Sequence, residues 1–412
     1  MAGFAKPDDH PQAAPAAAGG TEADREPAEC PPSPPGRRPL AIVLSGGGAR
    51  AAYQVGLLRC LARHLPALRF DIVTGVSAGA INAAFLAAHP GNLVSAAEKL
   101  SEIWSRLEVD EVFRVDPWSL GHRAARAALR LVWGGARVGP GIRGMVDTAP
   151  LDRLIARVLP TEGREVVGIA GNLAAGRLRA LALTTLDYST GQTITWIEGC
   201  DIEDWERPNR RSVSCRITVD HVMASAALPL FFPAVKIGRD WHGDGGIRLA
   251  APLSPAVHLG AGRILAISTR YPRSHTEAER SAVAGYPPPA QILGALLNAV
   301  FLDVIDQDVV RLERFNRLLE KLPEEERGGL RPIDCLVLRP SEDLGRLAAG
   351  YEPRLPRTFR FLTRGLGTRE TESPDFLSLI LFQADYLTRL IEIGEADAER
   401  HLEQIAELVG AI

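Results

Sequence analysis

From Leu40 onward the apolar residues follow two rhythms. Short unbroken runs alternate with longer stretches in which apolar positions recur every three or four residues. Leu40–Ser45 (LAIVLS) and Phe70–Val76 (FDIVTGV) read as buried strands. Between them, Ala51–Leu65 (AAYQVGLLRCLARHL) has helical spacing. A small-residue helix, Ala78–Ala88, follows the second strand, and another helix is expected from about Leu93 to Leu107. Arg179–Tyr188 and Gln192–Glu198 read as a hairpin, and Arg263–Thr269 and Asp334–Pro340 as later strands. Helices are expected from about Gln291 to Leu322 and, after the Ser373-Pro374 cap, from Asp375 to about Gly394, with a final helix after that. Strands alternating with helices predict an α/β protein with a mostly parallel central sheet covered on both faces.

Residues 1–38 break this grammar. They are rich in Pro, Ala and Gly, end in CPPSPPGRRP, and lack the apolar surface needed to offset ordering. They read as a disordered leader, without the apolar core of a signal peptide. Residues 39–275 form the expected core domain, and 276–412 an α/β and helical part packed on it or completing it.

Composition changes the picture little. The 412 residues are 46% hydrophobic and 24% charged, with a net charge of -3. No global field draws such a chain to nucleic acid. The five cysteines (Cys30, Cys60, Cys200, Cys215, Cys335) are scattered and contain no CxxC pair. Neither a disulfide framework nor a cysteine-based zinc site is expected, and a reducing, cytoplasmic setting is the default. The most lipid-like stretch, Ile292–Ile305, is too short to span a bilayer and contains Asn298 and Asp303.

The chemistry concentrates where strands end. After the first strand come Gly46, Gly47 and Gly48, then Arg50. Gly46, Gly48 and Ala51 fit G-x-G-x-x-A, the loop of a dinucleotide fold. That fold wants an acidic residue closing the second strand, whereas Asp71 opens it, and no GK[ST] follows for a P-loop. The second strand ends instead in Gly75-Val-Ser77-Ala-Gly79, a G-x-S-x-G turn that lifts a serine above the sheet at a helix N-terminus. A serine needs a base. Asp244, followed by Gly245 and Gly246, is the best candidate, although alone it also fits a plain turn. His258 and His275 are the histidines that an ordinary triad could use, and His242 lies beside the aspartate loop. No cluster of residues has metal-ligand spacing, so no metal or cofactor is expected.

Together these blocks resemble the patatin-like phospholipases, lipid acyl hydrolases with a Ser–Asp dyad. SGGGARAAYQVG resembles the family's oxyanion block, GVSAG its nucleophile elbow, and DGG its aspartate motif. ASAALPLFFPAV, Ala224–Val235, resembles its S-x-A-x-P-x-x-F-P segment and includes Pro229. Ala51 departs from the usual glycine after the arginine. The resemblance implies a three-layer fold, Ser77 as nucleophile and Asp244 as base. It places Gly46, Gly47, Gly48 and Arg50 around the oxyanion, and Gly75, Gly79, Gly245, Gly246 and Pro229 in support. The implied activity is cleavage of lipid carboxylic esters through an acyl-enzyme. A histidine-assisted esterase and a non-catalytic nucleotide- or lipid-binding regulator are the alternatives. Peripheral membrane contact is expected, if anywhere, through residues 118–143. There Arg123, Arg126 and Arg130 share one helical face among apolar neighbours, as on an interfacial helix or an ordinary solvated one.

Overall fold

The buried runs of the sequence assemble into one sheet. In a computed structural model, which describes residues 37–114, 144–279, 285–301, 304–365, 367–368 and 374–411, five strands lie side by side in parallel. They are Asp334–Leu338, Arg263–Ile267, Leu40–Leu44, Ile72–Val76 and Ala180–Asp187. Thr193–Gly199 returns antiparallel as the expected hairpin, and Arg210–Ser214 and Glu206–Arg207 extend that edge. Asp240–Asp244 pairs antiparallel with the far end of Ala180–Asp187, aligning Asp244 with Thr185.

Alternation along the first strand shows why both faces must be covered. Leu40, Ile42 and Leu44 join the larger core, whereas Ala41 and Val43 join a second one with Ile264, Ala266, Leu253 and Ala256. The larger core holds the helices Ala52–His64, Ala78–Ala88, Leu93–Arg106 and Ala384–Arg400. Ala52–His64 and Ala384–Arg400 touch backbone to backbone. A Cβ on Gly56 would lie 1.9 Å from the Ile391 carbonyl oxygen, and one on Gly394 2.1 Å from that of Tyr53.

Two expectations need correction. The helix expected from Asp375 to Gly394 is two, Asp375–Ile380 and Ala384–Arg400. The backbone leaves helical geometry at Leu381 and is extended at Gln383. Helical spacing ran through the break because Leu379, Ile380 and Phe382 are buried on both sides of it. Of the cysteines, Cys60, Cys215 and Cys335 are free, but Cys200 is disulfide-bonded, against the reducing setting taken as the default. Among the described residues, no helix is long and apolar enough to cross a membrane. The leader through residue 36 and the whole of the 118–143 stretch lie outside the described residues.

Candidate active site

Ser77 stands where the strand Ile72–Val76 turns into the helix Ala78–Ala88. Its φ of 58° and ψ of −135° lie in a region that costs a non-glycine residue about 1–3 kcal/mol. The surroundings hold it there. The Ser77 amide donates to Ser225 Oγ at 3.0 Å, and that hydroxyl donates to the Thr184 carbonyl at 2.7 Å on the adjacent strand. Gly79 lets the helix start press onto the first strand, since a Cβ would sit 2.4 Å from the carbonyl oxygens of both Leu44 and Ser45. Gly75 is equally confined, because its Cβ would meet that of Ala83 at 2.6 Å.

The glycine loop runs directly beside the serine. A Cβ on Gly46 would lie 2.8 Å from Ser77 Cβ. Gly47 (φ 144°) and Gly48 (φ 55°) occupy left-handed backbone and, with Ser77, line the mouth of a pocket. Gly48 opens the 3-10 turn Gly48–Ala51, so the first amides of that turn precede its internal bonds. Thr269 Oγ1 donates to the Gly46 carbonyl at 2.6 Å and holds the loop from the neighbouring strand end.

Arg50 does not join this group. Its guanidinium is buried on Asp375 Oδ1 at 2.6 Å and Ser378 Oγ at 2.7 Å, and its amide donates to the Gly47 carbonyl at 3.1 Å. The expectation that Arg50 faces the oxyanion is therefore corrected. A buried guanidinium needs a counter-charge, and Asp375 supplies it away from Ser77.

Asp244 ends its strand with its amide bonded to the Ala227 carbonyl at 3.1 Å. The Ser225–Ala227 stretch therefore holds both members of the expected dyad. Oδ1 accepts from the Gly246 amide at 2.9 Å, and Oδ2 is buried without a hydrogen-bond partner. Burial pushes the Asp244 carboxyl up from 3.8 to about 7, opposed first by the nearby Ser77 hydroxyl and then by the Gly246 amide. The hydroxyl is thus within electrostatic reach of Asp244 but short of good hydrogen-bond geometry, a common resting arrangement that tightens with substrate. Gly245 admits the turn, where a Cβ would meet the Thr184 carbonyl oxygen at 2.3 Å. Pro229 lies between Leu228, which lines the pocket, and Leu230, which is exposed with φ 66°.

The candidate histidines are elsewhere. His258 stacks on Trp205, His275 opens a short exposed helix, and His242 turns to Thr185 Oγ1 and Trp196. Among the described residues, no histidine is hydrogen-bonded to Ser77 or Asp244. Asp71 accepts from the Leu40 amide at 2.8 Å, at the opposite end of the strand from the glycines, where no ribose on that loop would reach it.

Sequence reasoning passed over Ser225, Thr269, Gln54 and Asn82. Gln54 donates to the Ser45 carbonyl and accepts from Asn82, and Trp104 donates to Asn82. This buried chain ties the glycine loop to the nucleophile's helix. The available signal was a lone amide side chain within the apolar positions of each of two helices.

The pocket is walled by Ile81, Trp104, Leu151, Ile155, Phe232 and Phe382, and among the described residues no charged side chain lines it. The fold and the site define an α/β protein that presents a strained elbow serine, a buried carboxylate and an apolar slot together. The patatin-like phospholipase family model matches residues 42–257, and the chain belongs to that family.

Solved structures similar to the chain include VipD from Legionella pneumophila (12% identity, 89% of this chain and 67% of that one, TM-score 0.37). A human GIVD cytosolic phospholipase A2 is also similar (12%, 90% and 60%, TM-score 0.43). So is the type III effector ExoU of Pseudomonas aeruginosa (16%, 91% and 54%, TM-score 0.34). The chain spans between about half and two thirds of the length of these proteins. No curated protein sequence matches it.

Proposed function

We propose that the protein is a lipid acyl hydrolase working through a Ser77 acyl-enzyme with Asp244 as its base. One observation carries this reading: a buried carboxylate with an unpartnered oxygen lies beside the strained serine at the mouth of an apolar slot. An acyl chain fills the slot and brings its ester carbonyl to Ser77. Asp244 takes the hydroxyl proton as Oγ attacks, and the Gly47 and Gly48 amides face the oxyanion. Collapse of the tetrahedral intermediate expels the alcohol, which takes the proton back from Asp244. Water, deprotonated by Asp244, then attacks the acyl-enzyme, and the fatty acid leaves as Asp244 returns that proton to Ser77 Oγ. A pKa near 7 suits that exchange, because a base matched to the working pH both accepts and returns a proton. Pre-aimed amides supply about 3–4 kcal/mol of transition-state stabilisation each.

Supporting roles fall to Gly46, Gly75, Gly79, Gly245, Gly246 and Pro229, which let these segments approach. Peripheral lipid contact through residues 118–143 remains part of the proposal.

The test is a fluorophosphonate probe on wild-type protein, Ser77→Ala and Asp244→Asn. Labelling of the wild type that is abolished in Ser77→Ala and strongly slowed in Asp244→Asn supports the dyad. Labelling unchanged in Asp244→Asn overturns Asp244 as base, and no labelling of the folded wild type overturns the hydrolase reading.

A further inference from the structure

Away from the pocket, the helices Ala52–His64 and Ala384–Arg400 bring three metal-ligating side chains together. Cys60 and His64 are four residues apart and so share one helical face, and Glu399 meets them from the second helix. Cys60 Sγ lies 3.7 Å from Glu399 Oε2, His64 Nε2 lies 3.2 Å from Glu399 Oε1, and the donor atoms all fall within 4.8 Å of one another. Zinc bonds of about 2.3 Å to sulfur and 2.0–2.1 Å to nitrogen or oxygen give tetrahedral edges of roughly 3.3–3.5 Å. The 3.7 and 3.2 Å separations bracket those edges.

Charge and access fit as well. The arginines next to them in sequence, Arg59 and Arg63, both pair with Glu395, one turn before Glu399. Glu399 is left with Cys60 and His64 as its described partners. Cys60 is buried, while the side chains of His64 and Glu399 are 31% and 50% exposed, so a fourth position opens to water. One thiolate, one imidazole and one carboxylate suit a borderline-soft ion better than calcium or magnesium.

We infer that Cys60, His64 and Glu399 form a zinc-class transition-metal site that clips the last long helix to the helix following the glycine loop. The metal displaces the thiol proton on binding, and water completes the tetrahedron. Sequence spacing missed the site because Glu399 lies 339 residues from Cys60.

The test is titration of the purified, metal-stripped full chain with Zn²⁺, and with Co²⁺ for its thiolate charge-transfer absorption. Wild-type protein should bind one ion, melt at a higher temperature with Zn²⁺, and show the sulfur-to-cobalt band. Cys60→Ser should abolish the band. His64→Gln and Glu399→Gln should weaken binding by at least the roughly 10–100-fold that loss of an outer-shell partner costs. Melting without metal shows that each variant folds, and the half-exposed Glu399 is the safest substitution. Absence of stoichiometric Zn²⁺ binding to the wild type, or binding unchanged in a folded Glu399→Gln, overturns the site.

Discussion

Replacing Asp244 by Asn should stabilise the protein, and do so only where the aspartate of the unfolded chain is ionised. The native group is fully buried and keeps its proton up to about pH 7, whereas an unfolded aspartate loses it near 3.8. Below 3.8 the group is neutral in both states and costs nothing. Between 3.8 and about 7 the unfolded chain ionises first and is favoured, so native stability falls as pH rises. Above 7 the loss is complete. At about 1.36 kcal/mol per pH unit, it amounts to about 4 kcal/mol. Asparagine removes the charge and can still accept from the Gly246 amide through its carbonyl. Denaturant unfolding of both proteins at pH 4, 5.5, 7 and 8.5 measures the difference directly. The asparagine variant should gain on the wild type across the first three and hold a constant lead at the last. Parallel curves at every pH would mean that the carboxylate is solvated in the native state, and both the buried-base argument and the proposed mechanism would fail with it.

Three further outcomes follow from the same geometry. On a soluble ester, kcat/KM should rise with pH to a plateau with a midpoint near 7, as Asp244 loses its proton; a profile flat down to pH 5 contradicts this. Ser225→Ala strips the Ser77 amide of its acceptor and the Thr184 carbonyl of a donor. It should cost about 1–3 kcal/mol for each buried group left unpaired and lower kcat more than it raises KM, read by melting and steady-state kinetics. Arg50→Ala breaks a buried ion pair and should cost about 3–5 kcal/mol; full stability with lost activity would instead return Arg50 to the oxyanion.

The sheet was legible because period and burial agree. Leu40–Leu44 and Ile264–Ile267 are unbroken apolar runs, Ile72–Val76 is interrupted only by Thr74 and Gly75, and each is buried on both faces. The elbow was legible because its spacing is local: Gly75, Ser77 and Gly79 act within one turn. Arg50 misled because its neighbours in sequence are the glycine loop, while its partner Asp375 is 325 residues away. Ser225 was hidden in a segment whose proline and phenylalanines drew attention first. The break at Leu381–Gln383 was invisible because apolar residues continue through it, serving the pocket on one side and the core on the other.

The grip of Asp375, Ser378 and Leu379 on the glycine loop also sets a timetable. A Cβ on Gly48 would lie 2.0 Å from the Leu379 carbonyl oxygen, so the loop is shaped against a segment made more than three hundred residues later. At about 5–20 residues per second, a ribosome needs roughly 15–65 s to travel from Arg50 to Asp375. For most of that interval the emerging chain carries Ser77 without the clamp on its neighbouring loop, and for the last part of it Asp244 as well. Completion of the C-terminal helices then acts as the safety catch that keeps the proposed ester-cleaving centre from forming on a half-made chain.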